Sequence, residues 1–127
     1  MITNFEKQTE ALTDYERTTI LPIMVKCLNN KIGKEAAITN NTMCEKMEEH
    51  GYHITPTRVR KIINHIRINN LIEGLMATST GYYVTHDTSE LRTYIVSLKG
   101  REEAIREMRE SMELQLERMV EKCPPVS

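Results

Sequence analysis

The sequence predicts a mainly helical α+β fold, and two stretches of the 127-residue chain carry that prediction. Residues 54–85 have the pattern of an amphipathic helix followed at once by a short β-hairpin, and residues 88–122 have the pattern of a long helix. Helices show apolar side chains at a period near 3.6 residues, whereas short strands are rich in aromatic and branched side chains between turn residues. At this length we expect one domain with at most one appended element.

The composition disfavours several classes of protein. The formal net charge is −1, so overall charge does not indicate a nucleic-acid partner, and only the distribution of charge can do so. No run of about 18 apolar residues and no apolar leader occurs, so we expect a cytoplasmic protein without a membrane segment. The three cysteines lack C-x-x-C spacing, which disfavours a disulfide framework or a zinc finger. We expect free thiols, no bound metal and no cofactor.

A capping box predicts the start of the first helix. Residues 1–12 are mostly polar and predict a flexible arm. In the T-x-x-E pattern that follows, Thr13 and Glu16 can satisfy each other's backbone donors, ahead of an apolar segment that ends near Asn30. Pro22 interrupts this segment and removes one backbone hydrogen bond, so we expect a bend in the helix.

A short strand and a second helix are predicted next. Gly33 lies in a turn and can close the first helix as a C-cap. Residues 36–38, Ala-Ala-Ile, predict a short third strand that pairs with the hairpin. The second helix begins at Asn41 or Thr42 and ends at His50, before a glycine. The side chains expected to face the core from this helix are Met43, Cys44 and Met47.

The third helix has the clearest boundaries and faces. Thr55 is a suitable N-cap, and Pro56 suits the first helical position because it has no N–H to leave unpaired. At about 100° per residue, apolar side chains fall on one face and polar or basic side chains on the other. The predicted core residues are Val59, Ile62, Ile63 and Ile66, and the predicted outer residues are Thr57, Arg58, Lys61, Asn64 and His65. Ile68 falls within the polar face, where it could meet a thymine methyl, the hairpin or a partner.

This helix also holds the basic segment of a nearly neutral chain. No acidic residue occurs between Glu49 and Glu73. Phosphate contacts from Lys and Arg supply most non-specific affinity for DNA, and a helix N-terminus adds its own donors. The alternative is the solvated face of a core helix, but the position before a hairpin favours DNA binding. The basic residues of the segment are Arg58, Arg60, Lys61 and Arg67, with His50, His53 and His65.

Turn residues between two short apolar runs predict the hairpin. Residues 71–76 are largely apolar, residues 78–81 (Thr-Ser-Thr-Gly) suit a turn, and residues 82–84 (Tyr-Tyr-Val) suit a returning strand. Neighbouring side chains on a strand point to opposite faces of the sheet. We therefore expect one of Tyr82 and Tyr83 to pack on the core and the other to lie near the surface.

The C-terminal helix carries an imperfect heptad seam. Apolar residues recur at intervals of seven, but the fourth residue after each is apolar only at the ends of the seam, and Gly100 marks a bend or break. We expect the first half to pack on the preceding domain and the second half to pair with another copy. The alternative is packing of the first half followed by a solvated helix. The seam residues are Leu91, Leu98, Ile105, Met112 and Met119, and the expected dimerisation residues are Leu98, Ile105, Met112, Leu116 and Met119.

The predicted division of the chain is an arm (1–12), a domain (13–87), a long helix (88–122) and a disordered tail (123–127). The order of helix, short strand, helix, turn, helix and hairpin over roughly residues 13–105 resembles a winged helix-turn-helix domain. The strings that carry the resemblance are KIGKEAAIT at 31–39, RVRKIINHIR at 58–67, LIEGLMATSTGYYV at 71–84 and ELRTYIVSLKGR at 90–101, and they are similar to small winged-helix proteins of phages and other mobile elements.

This resemblance implies duplex DNA binding without catalysis, in transcription regulation or a replication-accessory role. The third helix then acts as the recognition helix and the hairpin as the wing, although the wing tip here has no Arg or Lys. A homodimer would read two half-sites about one helical turn apart. The candidate DNA-binding residues are Thr55, Thr57, Arg58, Arg60, Lys61, Asn64 and His65 on the helix, and Thr78, Ser79 and Thr80 on the wing.

Catalysis and metal binding are weighed against this interpretation. Cys44, His50 and His53 are the closest grouping of metal-ligating residues, but they lack the spacing of a four-ligand structural site. The chain has no nucleophile elbow, glycine-rich phosphate loop or suggestive carboxylate pair, so we expect no enzyme. The alternative function is a winged-helix module that binds a protein partner instead of DNA, which a weaker dependence of affinity on salt would distinguish.

Overall fold

The computed structural model describes residues 11–122, which are mainly helical with one two-stranded antiparallel sheet and a long C-terminal helix. The chain divides between His86 and Asp87 into two compact units, which are described separately below. The expectations for residues 1–10 and for the tail 123–127 lie outside the described residues. Leu12, however, is buried in the core, so the prediction of a flexible arm over residues 1–12 is wrong for its last residue.

The predicted capping box is confirmed at the start of the first unit. The Thr13 amide donates to Oε1 of Glu16 at 2.9 Å, and the Glu16 amide donates to Oγ1 of Thr13 at 3.1 Å. A π-helical turn, Glu16–Ile20, then leads into helix α1, Leu21–Asn29. Pro22 has no amide hydrogen for the carbonyl four residues earlier, and the wider π turn directly precedes it. The irregularity predicted at Pro22 therefore takes the form of a π-helical turn.

Two predictions for the segment after α1 are wrong. Gly33, with φ of 87°, does not cap α1, which ends at Asn29; it precedes a 3-10 turn, Lys34–Ala36. Because this turn takes up Ala36, the predicted third strand is reduced to a single bridge at Ile38. The Ile38 amide donates to the Tyr82 carbonyl at 3.0 Å, and the Tyr82 amide donates back at 2.8 Å. A second bridge, Ile32–Val84, lies before the 3-10 turn: the Gly33 amide donates to the Val84 carbonyl at 2.9 Å, and the Val84 amide donates to the Lys31 carbonyl at 2.7 Å. Two bridges thus attach this segment to the hairpin.

Helix α2, Asn40–Glu49, begins slightly earlier than predicted. Oγ1 of Thr39 accepts from the Thr42 amide at 3.1 Å, so Thr39 is the N-cap. The helix buries Met43 and Met47, as predicted, and Cys44 is half-buried. The chain reverses after it at a glycine with positive φ, and this short turn brings the next helix against it.

Helix α3, Pro56–Ile68, confirms the predicted start and core face. Oγ1 of Thr55 accepts from the Arg58 amide at 3.3 Å, which caps one of the donors left unpaired at a helix start. The four predicted core side chains are all buried at 3% exposure or less. These residues are Val59, Ile62, Ile63 and Ile66.

The hairpin consists of strands β1, Leu75–Thr78, and β2, Gly81–Val84, joined by a two-residue turn. Gly81 has φ of 121°, and a Cβ atom there would lie 2.6 Å from the carbonyl oxygen of Ile38. A side chain at this position is therefore excluded by the bridging segment. Tyr82 and Tyr83 are both buried, so the prediction that one would lie near the surface is wrong. Tyr82 belongs to the main core, whereas Tyr83 pairs with Met76 on the other face of the hairpin.

The second unit is dominated by helix α4, Thr88–Lys122. Gly100 lies within it without interrupting it, so the predicted break does not occur. None of its side chains is buried, and residues 95–122 are exposed throughout. Between residues 11 and 122, no helix combines the length and apolar character needed to cross a membrane.

Candidate nucleic-acid interface

The outer face of α3 presents a strip of polar side chains at one-turn intervals. Thr57, Lys61, Asn64 and Ile68 follow one another at spacings of three and four, which places them on one face. Asn64 is exposed, Thr57 and Lys61 are half-buried, and Ile68 is 69% exposed at the end of the strip. We call these four residues the α3 strip. It lies opposite the buried isoleucine face, as the helical periodicity predicts.

Two arginines border the α3 strip on one side. Arg60 is exposed and Arg67 is half-buried, and they lie seven residues apart on the same flank. Within residues 11–122, neither Arg60 nor Lys61 forms an ion pair. Their positive charges therefore remain available to an anionic ligand. Arg67 was noted in the sequence only as part of the basic segment, although its spacing from Arg60 places it on this border.

Arg58 does not lie on this surface, which corrects the sequence-based assignment. Its side chain is 13% exposed and forms a bidentate ion pair with Glu16, which is 8% exposed. Nε of Arg58 donates to Oε2 at 2.8 Å and Nη2 donates to Oε1 at 2.6 Å, while Nη2 also donates to the carbonyl of Ala11 at 3.0 Å. Arg58 thus joins the start of α3 to the N-terminal helix. A DNA phosphate would have to displace a buried carboxylate to reach it.

The periodicity of α3 explains this correction. At about 100° per residue, Arg58 lies roughly 90° from the centre of the buried face, at its edge and not opposite it. A long side chain at such an edge can turn toward the neighbouring element when a carboxylate lies there. Glu16 accepts these hydrogen bonds while also completing the capping box, and the bonds from Arg58 hold the pKa of Glu16 below its ordinary value despite burial.

Thr55 and His65 have local structural contacts. The Thr55 hydroxyl caps α3, as described above. His65 is half-buried near the end of the helix, where Nδ2 of Asn69 lies 3.3 Å from its Nδ1 and donates to its carbonyl at 2.9 Å. The Thr55 hydroxyl and the His65 ring thus already have partners within the chain.

Hydroxyl groups order the tip of the hairpin. Oγ1 of Thr78 lies 2.9 Å from Oγ1 of Thr80, accepts from the Thr80 amide at 3.3 Å and donates to the Gly81 carbonyl at 3.2 Å. Ser79 and Thr80 are exposed. The three residues predicted for the wing therefore form one turn. Thr78 hydrogen-bonds mainly to backbone groups of this turn, whereas Ser79 and Thr80 face solvent.

A polar notch lies between this tip and the start of α2. It encloses about 260 Å³ and is open to solvent. The Tyr82 hydroxyl donates to Oδ1 of Asn40 at 2.7 Å across it, and burial raises the pKa of Tyr82. No local sequence pattern predicts the notch, because the bridge at Ile38 brings its two sides together. Its lining residues are Thr39, Asn40, Ala77, Thr78, Ser79, Gly81 and Tyr82.

Negative charge lies on α2. Glu45, Glu48 and Glu49 are exposed there and line a shallow depression together with Cys44. Burial raises the pKa of the Cys44 thiol. Among residues 11–122, no three metal-ligating side chains are grouped closely enough to hold an ion. An anionic ligand would therefore approach the α3 strip and avoid the exposed side of α2.

Comparison of the chain with protein-family models, with curated proteins and with solved structures found no match.

Proposed function

We propose that this protein is a winged helix-turn-helix protein that binds double-stranded DNA with α3 as its recognition helix. The observation that carries the proposal is the α3 strip, which includes Lys61 and is bordered by Arg60, neither of these two residues being in an ion pair within residues 11–122. An exposed helix face of this size fits the major groove of B-DNA. We place the activity in a transcriptional regulator or replication accessory protein of a phage or mobile element, as the resemblance of residues 13–105 implies.

The proposed mechanism separates anchoring from readout. Arg60, Lys61 and Arg67 supply charge for phosphate contacts, while Asn64 is suited to paired hydrogen bonds with adenine and Ile68 to contact with a thymine methyl. The hairpin tip contributes hydroxyl and backbone contacts through Ser79 and Thr80, because it has no cationic side chain. The start of α2 lies beside that tip across the polar notch, and its helix dipole favours a nearby phosphate.

Salt-dependent binding to duplex DNA tests the proposal. We expect the protein to bind a random duplex of about 30 base pairs with an affinity that falls steeply as salt rises, because each neutralised phosphate releases counterions. The double variant Arg60→Ala, Lys61→Ala should bind at least about tenfold more weakly at low salt, with a shallower salt dependence.

A matched control removes the same charge elsewhere. Lys99 and Arg106 are exposed on α4, and the Lys99→Ala, Arg106→Ala variant loses one Lys and one Arg just as the test variant does. Its affinity for DNA should stay within about twofold of the wild type. Equal losses in both variants would mean that net charge alone drives binding, and the role of α3 as a recognition helix would then be rejected.

A protein partner is the second candidate, and exposed apolar side chains at the end of α3 favour it. Ile68 is 69% exposed and Leu71 is 46% exposed, only three residues further along the chain. If this surface binds a protein, the wild type should fail to bind DNA even at low salt. An apolar interface of this kind would keep its affinity as salt rises.

A further inference from the structure

Helix α4 carries an exposed apolar stripe along its heptad seam. Between Ile105 and Met112 the third residue, Met108, extends the seam, and between Met112 and Met119 the fourth residue, Leu116, extends it. Arg101 lies within the stripe, and the polar Gln115 lies at its edge. The stripe spans a narrow band of the helix surface and consists of Leu98, Ile105, Met108, Met112, Leu116 and Met119, each at least 42% exposed. A narrow apolar band of this kind, interrupted by Arg101, indicates an interface.

We infer that this stripe pairs with the same stripe of a second copy, and that the two α4 helices run antiparallel. The orientation follows first from Arg101, which lies on the stripe between Leu98 and Ile105. A parallel, in-register pair would place Arg101 against Arg101 of the other copy inside the seam, where two like charges repel and are poorly hydrated. In an antiparallel pair, Arg101 instead faces Met112, and its charged end can extend to solvent.

The charges beside the stripe select one antiparallel register. Glu102 and Arg109 lie on the same flank, and such flanking positions face their counterparts in an antiparallel pair. When Ile105 packs against Met108 of the second copy, Glu102 of each helix meets Arg109 of the other, and the two-fold axis repeats the contact. A shift by one heptad in either direction brings Glu102 against Glu102 or Arg109 against Arg109. The second copy is thus the occupant that the charge pattern fits.

Arg109 already has a partner on its own helix. It forms an ion pair with Glu113, one turn further along. Since a guanidinium has five donors in a planar fork, it can hold Glu113 and still donate to Glu102 of the second copy. The intrahelical pair thereby orients Arg109 along the flank of the stripe before the copies meet.

Two exposed residues provide a matched test of the interface. Met112 lies on the stripe at 50% exposure, and Leu114 lies on the opposite side of α4 at 47% exposure. We expect analytical ultracentrifugation to show a dimer for the wild type and for Leu114→Glu. Met112→Glu should raise the dissociation constant about a hundredfold, because the change removes an apolar contact twice per dimer. A monomeric wild type at high micromolar concentration, or equal effects of the two changes, would overturn the proposal.

Distances between spin labels test the orientation. Glu103 and Glu117 are exposed glutamates on the face away from the stripe, and each is replaced singly by a labelled cysteine in a chain without its three native cysteines. In the antiparallel register the labels at 103 are offset by about 10 Å along the axis and those at 117 by about 30 Å. A parallel pair gives the same short distance at both positions, and that result would reject the antiparallel arrangement. Circular dichroism and ultracentrifugation of each labelled chain confirm that it is folded and dimeric before distances are compared.

This pairing does not depend on DNA binding, so either proposal can fail alone. Where both hold, the antiparallel register places the two Thr88 ends about 55 Å apart, since α4 rises 1.5 Å per residue. The two N-terminal units then join their α4 helices at these two separated ends.

Discussion

At the scale of single residues, the Arg58–Glu16 pair is the most consequential contact in the first unit. It links the start of the N-terminal helix to the start of α3 through two charge-assisted hydrogen bonds in a site almost closed to water. Because α3 is the proposed recognition helix, this pair fixes the helix end that would approach DNA. Arg58 is thus a residue that positions the proposed site and does not itself face it.

Removing Arg58 should destabilise the first unit. Arg58→Ala leaves the Glu16 carboxylate buried without its guanidinium partner, although the Thr13 amide still donates to it, and breaking one side of a buried ion pair costs about 3–5 kcal/mol. Arg60→Ala, two residues away on an exposed site, should change the free energy of unfolding by less than about 0.5 kcal/mol. Urea denaturation measures both. A loss for Arg58→Ala no larger than that for Arg60→Ala would show that the pair contributes nothing to stability.

The same pair should make stability depend on acid pH. Arg58 holds the pKa of Glu16 below its ordinary value in the folded protein. A depressed folded pKa means that the stabilisation is present above the unfolded pKa and is lost as pH falls through the folded value. The difference in unfolding free energy between wild type and Glu16→Gln should therefore be full at pH 7 and shrink below about pH 4. A difference that stays constant to lower pH would contradict this.

At the scale of elements, the hairpin is held by its bridge to the segment before α2. The two hydrogen bonds between Ile38 and Tyr82, together with the Tyr82–Asn40 contact, attach β2 to the N-terminal end of α2. Gly81 permits this close approach because it lacks a Cβ. The position of the hairpin tip beside α2 therefore depends on Gly81 and the Ile38–Tyr82 bridge, while a second bridge, Ile32–Val84, holds the other end of β2.

Gly81→Ala should separate the hairpin from this segment. The added Cβ would meet the Ile38 carbonyl at 2.6 Å at a φ that disfavours side chains, and we expect a loss of at least about 2 kcal/mol in the free energy of unfolding. Gly51→Ala is the matched control, since its φ is also positive but no atom lies within 4 Å of the added Cβ. It should lose only about 1 kcal/mol. Equal losses would mean that backbone strain, and not the contact with Ile38, explains the requirement for glycine.

At the scale of the whole molecule, the two proposals together predict that one dimer holds two DNA duplexes. The two binding units join the paired α4 helices at separate ends, so each can take a separate duplex. Mixed with a fluorescent duplex and a biotin-labelled duplex, the wild type and Leu114→Glu should retain fluorescence on streptavidin. Met112→Glu should still bind single duplexes but retain little fluorescence. Retention by Met112→Glu equal to the wild type would show that the α4 stripe does not join the two sites.

The sequence by itself determined much of the local structure. The capping box at Thr13, the N-cap at Thr55 and the four buried side chains of α3 were predicted because caps and helical periodicity depend on residues a few positions apart. The hairpin turn followed from its Thr-Ser-Thr-Gly sequence in the same way. These interactions join residues close together in the chain, so they can be recognised from the amino-acid sequence alone.

Contacts between distant residues were decided only by the tertiary structure. Arg58 and Glu16 are 42 positions apart, as are Tyr82 and Asn40, and nothing local indicates that either pair meets. Arg58 was therefore predicted on the outer face, whereas in the structure its side chain packs against Glu16. A charged side chain at the edge of a core is stabilised most by a carboxylate beside it. Helical periodicity shows which side chains lie outside the core face. Only the packing of the helices shows which of those side chains remain available to bind a ligand.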